Sequence, residues 1–296
     1  MSWWARSLNW ILSPWPRRWV RSLGTPLGWL WFDVFRFRRH VVLENLRYAF
    51  PDWPIEKRVQ VGRRSVCVLT ENFAEFFLIP SINESWISQE CVFHHEPHLQ
   101  EALQKNRGVL LLTLHLGHGD VLANVMARKG YFVHVITKFF RSSWLNKIWF
   151  AVRGAQGVHF IEPHGERTPF AILKALKNQG LVAFVLDQHM GRPYGLETRF
   201  FDRPAGTAYG LALFHLKTKS PVLPIYSYEG PDQKIHVVFD KPFFYDEALG
   251  AESDRDRVLS VLTQKFTDKI EEIVRQYPDQ WMWIHRRWKW KGTKPS

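Results

Sequence analysis

Cysteine is nearly absent: of 296 residues only Cys67 and Cys91 carry a thiol. Two thiols without CxxC spacing supply neither a disulfide framework nor a zinc ribbon, and they fit a reduced compartment. Long apolar runs are missing as well. In the first 39 residues the longest uncharged stretch is Ser22 to Phe32, eleven residues, whereas a membrane-spanning helix takes about 20. No apolar segment leads to a small-residue cleavage site, so no secretory signal is expected. Acidic residues are in deficit, 28 against 40 Lys and Arg, leaving a net charge of +12. That surplus directs the chain toward anionic partners, whether lipid headgroups, acidic proteins, phosphorylated substrates or nucleic acid. Internal repeats and low-complexity linkers are also lacking.

Aromatic residues, by contrast, are plentiful: 15 Trp and 22 Phe, more than a core takes up, so some rings are expected to serve a surface. Seven Trp, seven Arg and a single acid fall within residues 1–39. Rings at the apolar boundary with arginines on phosphate suit a headgroup layer, so residues 1–43 are expected to associate with a membrane. The competing reading is a helical hairpin packed on the rest, its arginines merely solvated. At the other end, "WMWIHRRWKWKGTK" interleaves four Trp with five basic residues. Such a pattern can stack bases, but no RNA-binding or DNA-binding motif accompanies it, so a nucleic-acid partner is not expected. A membrane-facing or packed end, with His285 structural, is the expectation instead.

Between these ends lies one domain, residues 44–296. "VVLENLRYAFPDWPIEKRVQVGRRSVCVLTENFAEFFLIP" carries apolar residues at helical spacing with a break at Phe50 to Pro54, which predicts two or more helices. From Gly108 the pattern changes to short apolar strands, "GVLLLTL", "YFVHVIT", "VHFIE", "LVAFVLD", "PVLPIYSY" and "KIHVVF". Helical segments closed by glycine or polar residues separate most of them, and a charged helix over 254–276 precedes the tail. This alternation predicts an α/β fold with a mostly parallel central sheet flanked by helices.

The stretch "LLLTLHLGHGDVLANV" places His115 at a strand end and Asp120 at the start of the next helix, the carboxyl edge where open α/β sheets bind ligands. In one continuous helix two residues five apart would diverge by about 140°, so a turn is required, and Gly117 and Gly119 are expected to supply it. Imidazole and carboxylate brought together suit general-base activation of a hydroxyl. Two other readings stand beside this one: Asp120 as a helix cap with His115 an ordinary surface residue, and a metal site using His115, His118 and Asp120. The latter fits poorly, since Val121 stands where a metallohydrolase run would carry its last histidine.

The chain resembles the late acyltransferases of lipid A biosynthesis, within the wider lysophospholipid and glycerolipid acyltransferase superfamily. The hallmark H-x-x-x-x-D/E is met by His115 and Asp120. "ENLRYAFPDW", "FAVRGAQGVHFI", "GLVAFVLDQHMGRPYG", "FFDRPAGTAYGLALFHLKTKSPVLPIY" and "YPDQWMWIHRRWK" follow the family's order, so the resemblance covers Glu44 to Lys289. Two departures bear on the acceptor: Gly119 precedes the acidic residue where Trp is common, with Asp120 in place of Glu, and Asp202 stands where Gly usually follows the aromatic turn.

This resemblance implies that His115 is the general base and Asp120 its orienting carboxylate. Arg153 and Asp187, with Gln188 beside it, fall at positions associated with activity and are expected to bind substrate, Arg153 offering fixed donors to a phosphate or oxyanion; the stretch "RPYGLETRFFDRPAG" is expected as a loop whose Phe201 and Arg203 bind acyl chain and phosphate, an ordinary exposed basic loop being the alternative. An Arg153–Asp187 ion pair is the structural alternative for that pair. Neither metal nor cofactor is implied. The implied reaction moves a fatty acyl chain from acyl carrier protein, or acyl-CoA, to a hydroxyl of a lipid A precursor on the cytoplasmic face of the inner membrane. A lysophospholipid or other lipid acceptor, or a catalytically silent membrane-surface protein of the same fold, are the alternatives.

Overall fold

Val109–Thr113 and Leu181–Val185 are apolar at nearly every position, the mark of strands covered on both faces, and the fold is built around them. The computed structural model describes residues 9–289. Its strands are β1 (Cys91–His94), β2 (Val109–Thr113), β3 (Val133–Ile136), β4 (His159–Ile161), β5 (Leu181–Val185), β6 (Gly195–Phe200), β7 (Arg203–Ala208), β8 (Val222–Glu229) and β9 (Ile235–Phe239). Seven form one sheet in the order β1-β9-β8-β2-β5-β3-β4. Its neighbours are parallel except β8 and β9, which are antiparallel. The expected architecture is therefore present.

The helices are α1 (Arg17–Ser22), α2 (Gly24–Trp29), α3 (Arg39–Ala49), α4 (Ile55–Glu75), α5 (Glu84–Glu90), α6 (Glu96–Leu103), α7 (Gly119–Arg128), α8 (Ser143–Arg153), α9 (Thr168–Lys177), α10 (Gly210–Thr218), α11 (Glu247–Ala251) and α12 (Arg255–Gln276). Two cores result, one on each sheet face. Leu110, Leu112, Val182 and Phe184 join residues of α3, α9, α10 and α12, while Val109, Leu111, Leu181 and Ala183 join those of α6, α7 and α8. In α12, Val258, Leu262, Phe266, Ile270 and Ile273 are buried at spacings of three and four, the stripe that buries one helical face. Asp254 caps it, accepting from Arg257 N at 3.0 Å. A charged helix was expected there.

Two parts of the strand pattern went unforeseen. The short edge strand β1 is one. The other is the basic stretch at 192–206, expected as a loop, of which residues 195–208 form the hairpin β6–β7. Its two turn residues, Phe201 and Asp202, have φ of 52° and 58°, as a two-residue hairpin turn with matching twist demands. The departure from glycine at Asp202 is thereby accommodated, since aspartate tolerates this region better than most residues.

The amino-terminal segment is packed on the rest of the chain, as the second reading expected, though not with all its arginines solvated. α1 and α2 pack on α4 so closely that a Cβ on Gly24 or Gly28 would come within 2.5 Å of α4 backbone atoms; only glycine admits that approach. Trp10, Trp15, Trp19, Leu23, Leu27 and Trp29 face outward and are exposed. Arg17 and Arg21, however, are buried, so these two arginines are not free to meet lipid phosphate. Among the described residues no helix is long and apolar enough to cross a membrane. Residues 1–8, with Trp3, Trp4 and Arg6, and residues 290–296 of the carboxyl-terminal cluster lie outside the described residues. The rest of that cluster is a packed end: Trp281, Trp283 and Arg287 are fully enclosed.

Candidate active site

The register of β2 against β5 pairs Thr113 with Val185. Continued two residues, it sets His115 beside Asp187 at the carboxyl edge of the sheet. The carboxylate grips His115 twice: Oδ2 accepts from His115 N at 2.9 Å and Oδ1 lies 2.8 Å from ring Nδ1. Trp281 Nε1 donates to Oδ2 at 2.7 Å. Burial resists the charge on Asp187, but the imidazole and these donors outweigh it and hold the carboxyl below its usual range. For His115, burial likewise opposes charging. The Asp187 charge and hydrogen bond, with Asp120 further off, prevail and raise its pKa above the ordinary value. With Nδ1–H donating to Asp187, Nε2 is left as a proton acceptor. The side chain is still 40% exposed, and the Gln188 amide nitrogen lies 3.4 Å from Nε2.

The expected convergence of His115 and Asp120 is therefore replaced. Asp120 is the second residue of α7, and its Oδ1 takes Arg153 Nε at 2.8 Å and Nη2 at 2.7 Å. Arg153, the last residue of α8, also donates to Thr137 Oγ1 at 3.3 Å. Neither the His115–Asp120 pair nor the Arg153–Asp187 pair forms; the partners are exchanged. The reason is topological. Neighbouring parallel strands bring their ends together, whereas the first turn of α7 swings Asp120 toward the next helix. The chain reversal falls on Gly117, with φ of 53° and a Cβ position only 2.2 Å from Ser227 O. Gly119 has an ordinary φ and open space around it, so it is not what bends the chain.

Beside His115 lies a cavity of about 380 Å³. His115, Gly119, Asp120, Thr137 and Arg153 line it, and Leu111, Met126, Val133, Val135, Ala183 and Ile225 make its apolar wall. Along β3 it reaches from Thr137 to Val133, four residues or about 13 Å at strand rise.

Of the expected site residues, His115, Asp187 and Gln188 meet one another, and Asp120 and Arg153 meet at the cavity wall. Phe201 and Arg203 are not brought there. Phe201 is buried among Phe50, Trp283 and Trp288, and Arg203 lies over the Tyr48 ring at 4.4 Å. The tight hairpin turn sends both away from the sheet edge. His118 is no metal ligand beside His115: its Nδ1 faces Glu75 Oε2 at 2.8 Å and its Nε2 faces Arg17 and Arg21. His285 is structural, accepting from His189 N at 3.1 Å. Sequence reasoning missed Trp281, Glu75 and Asn72, the last donating through its side chain to Gly117 O. Only the aromatic richness of the tail drew attention to Trp281, and no spacing marked the other two.

The chain is similar in sequence to known proteins. The chain is 23% identical to the lipid A biosynthesis palmitoleoyltransferase of Escherichia coli (strain K12), over its whole length and 92% of the relative's. It is 22% identical to the phosphatidylinositol mannoside acyltransferase of Mycolicibacterium smegmatis, over 76% of this chain and 71% of that one. A lipid A biosynthesis acyltransferase of Haemophilus influenzae is 19% identical over 81% of this chain and 72% of its own. The model of the family described as bacterial lipid A biosynthesis acyltransferase matches residues 1–290, and the chain belongs to that family.

Proposed function

We propose that the protein transfers a fatty acyl chain from a thioester to a hydroxyl of a lipid A precursor, with His115 as general base. The observation that carries this reading is His115 itself: clamped through Nδ1 by a buried carboxylate at the edge of an apolar cavity, which leaves Nε2 outside the clamp with only the Gln188 amide 3.4 Å away. Nε2 takes the proton of the acceptor hydroxyl while its oxygen attacks the thioester carbonyl. Asp187 fixes the ring and stabilises the imidazolium. The tetrahedral intermediate forms beside the amino end of α7, whose unpaired backbone N–H groups carry partial positive charge. Its collapse breaks the carbon–sulfur bond, and the imidazolium returns the proton to the departing thiolate. Arg153, held by Asp120, sits on the same wall as a fixed cation for a substrate oxyanion or phosphate.

The hydrocarbon chain lies in the slot between the sheet and α7, along Leu111, Val135 and Ala183. The donor we infer is acyl carrier protein, an acidic protein drawn to a chain of net charge +12. The exposed Trp10, Trp15, Trp19 and Trp29 rest on the cytoplasmic leaflet of the inner membrane, where such rings favour the interface. The test is an assay of purified enzyme offering acyl carrier protein and CoA thioesters against a lipid A precursor and lysophospholipids. Acylation of the lipid A precursor from the carrier-protein donor, abolished by His115→Ala, is expected. Transfer to lysophospholipid alone overturns the acceptor, and full activity in His115→Ala overturns the mechanism.

A further inference from the structure

His118 is left unused by the chemistry above, yet it lies three residues from the base and is completely enclosed. Its Nε2 is 3.2 Å from Arg21 Nη1 and 3.4 Å from Arg17 Nη2. Both arginines come from α1, about a hundred residues earlier, and both are tied to carboxylates. Arg17 bridges Glu75 at 2.8 Å and Glu229 at 3.3 Å. Arg21 bridges Glu229 at 2.7 Å and Glu71. Arg64 closes the outer side, 2.6 Å from Glu71 and 3.7 Å from Glu229. With Glu90 3.7 Å from Arg17, four carboxylates face three guanidiniums from α1, α4, α5 and β8, and a neutral His118 completes the cluster.

Burying such a cluster is costly, and apolar packing of similar volume serves stability as well or better. What charges in fixed geometry do supply is position. His118 belongs to the turn that carries His115. Its backbone N donates to Ser227 Oγ at 3.1 Å, while Gly117 N donates to Gln280 O at 3.2 Å and Gly117 O accepts from Asn72. Spaced four apart, Arg17 and Arg21 share one face of α1, while Trp15 and Trp19 beside them are exposed.

We propose that Arg17 and Arg21 are positioning residues for acyl transfer: through His118 they fix the turn that sets His115 at the cavity. The amino-terminal helix then braces the active site from behind the turn. The proposal rests on His115 being the base.

The test compares wild type, Arg21→Gln, the double variant Arg17→Gln/Arg21→Gln, and Arg21→Lys. They are assayed in detergent micelles with a fatty acyl thioester of acyl carrier protein and a dispersed lipid A precursor, so that membrane attachment plays no part. In the double variant kcat should fall by about ten- to a hundredfold, as a displaced catalytic group dictates, with KM for the thioester little changed. Arg21→Lys should recover part of the loss. Histidine nitrogen resonances give a readout independent of activity: His118 should show an unprotonated Nε2 near neutral pH in wild type and lose that signature in Arg21→Gln. Should the double variant fail to fold, Glu229→Gln, at the open rim, loosens both guanidiniums and must still lower kcat. Unchanged kcat in a folded Arg17→Gln/Arg21→Gln or Glu229→Gln protein overturns the proposal, as does a loss seen only in KM. Activity surviving in His115→Ala instead overturns the underlying mechanism, and the nitrogen resonances then test the cluster separately.

Discussion

His115 and His118 are three residues apart, and each holds a carboxylate oxygen 2.8 Å from Nδ1, yet their proton affinities move in opposite directions. His115 is raised above the ordinary value. His118 is lowered to about 4: burial dominates, and Arg17 and Arg21 add to it against the pull of Glu75. A carboxylate partner alone therefore does not make a base. The difference lies on the far side of each ring, where one Nε2 meets a cavity and the other meets two guanidiniums. The first histidine is free to exchange a proton; the second is locked in one neutral form.

The largest test of this contrast removes each ring in turn. His115→Ala should lower kcat by roughly a thousandfold or more with little change in melting temperature. His118→Ala should cost stability, about 1–3 kcal/mol for stranding buried polar partners, measured by denaturant unfolding, together with the smaller loss of kcat, about ten- to a hundredfold, of a displaced base. A His118→Ala enzyme as stable and as active as wild type would remove the role assigned to its ring.

Next is Asp187→Asn, which keeps the shape but removes the charge. A fall in kcat on the order of 10²–10⁴ is expected. The pH profile carries a sign: a base must be neutral to work, and Asp187 raises the His115 pKa, so wild-type activity is lost on acidification through an apparent pKa above 6.5. In Asp187→Asn that acid limb should shift to lower pH. An unmoved limb means that another group controls it. Smallest is Trp281→Phe, which removes one donor from Asp187; kcat should drop a few-fold, near the worth of about 1 kcal/mol for one hydrogen bond. Steady-state kinetics at saturating donor decide it.

Much of this was legible in the chain. Apolar runs such as Leu110–Leu112 and Leu181–Phe184 announce strands covered on two faces, and the 3.6-residue period of Val258 to Ile273 announces α12, because local periodicity answers directly to burial. Residue type and element ends pointed to His115, and the family resemblance to Asp187 and Gln188, all of which the fold gathers at one sheet edge. Phe201 and Arg203 were misplaced because a two-residue turn with positive φ reads as a loop, and loops are where ligands are sought.

What the sequence determined by itself was the set of chemical groups and the elements bearing them: an imidazole and a carboxylate at strand ends, a glycine bend, arginines spaced to share a helix face. Which group meets which was decided only in three dimensions. Hydrogen bonding between β2 and β5 joins residues 72 positions apart, and the packing of α1 on α4 brings Arg21 to His118 across 97. Partnership follows from strand order and helix crossing, and five residues of separation along the chain gave Asp120 no claim on His115 once α7 had turned it toward Arg153.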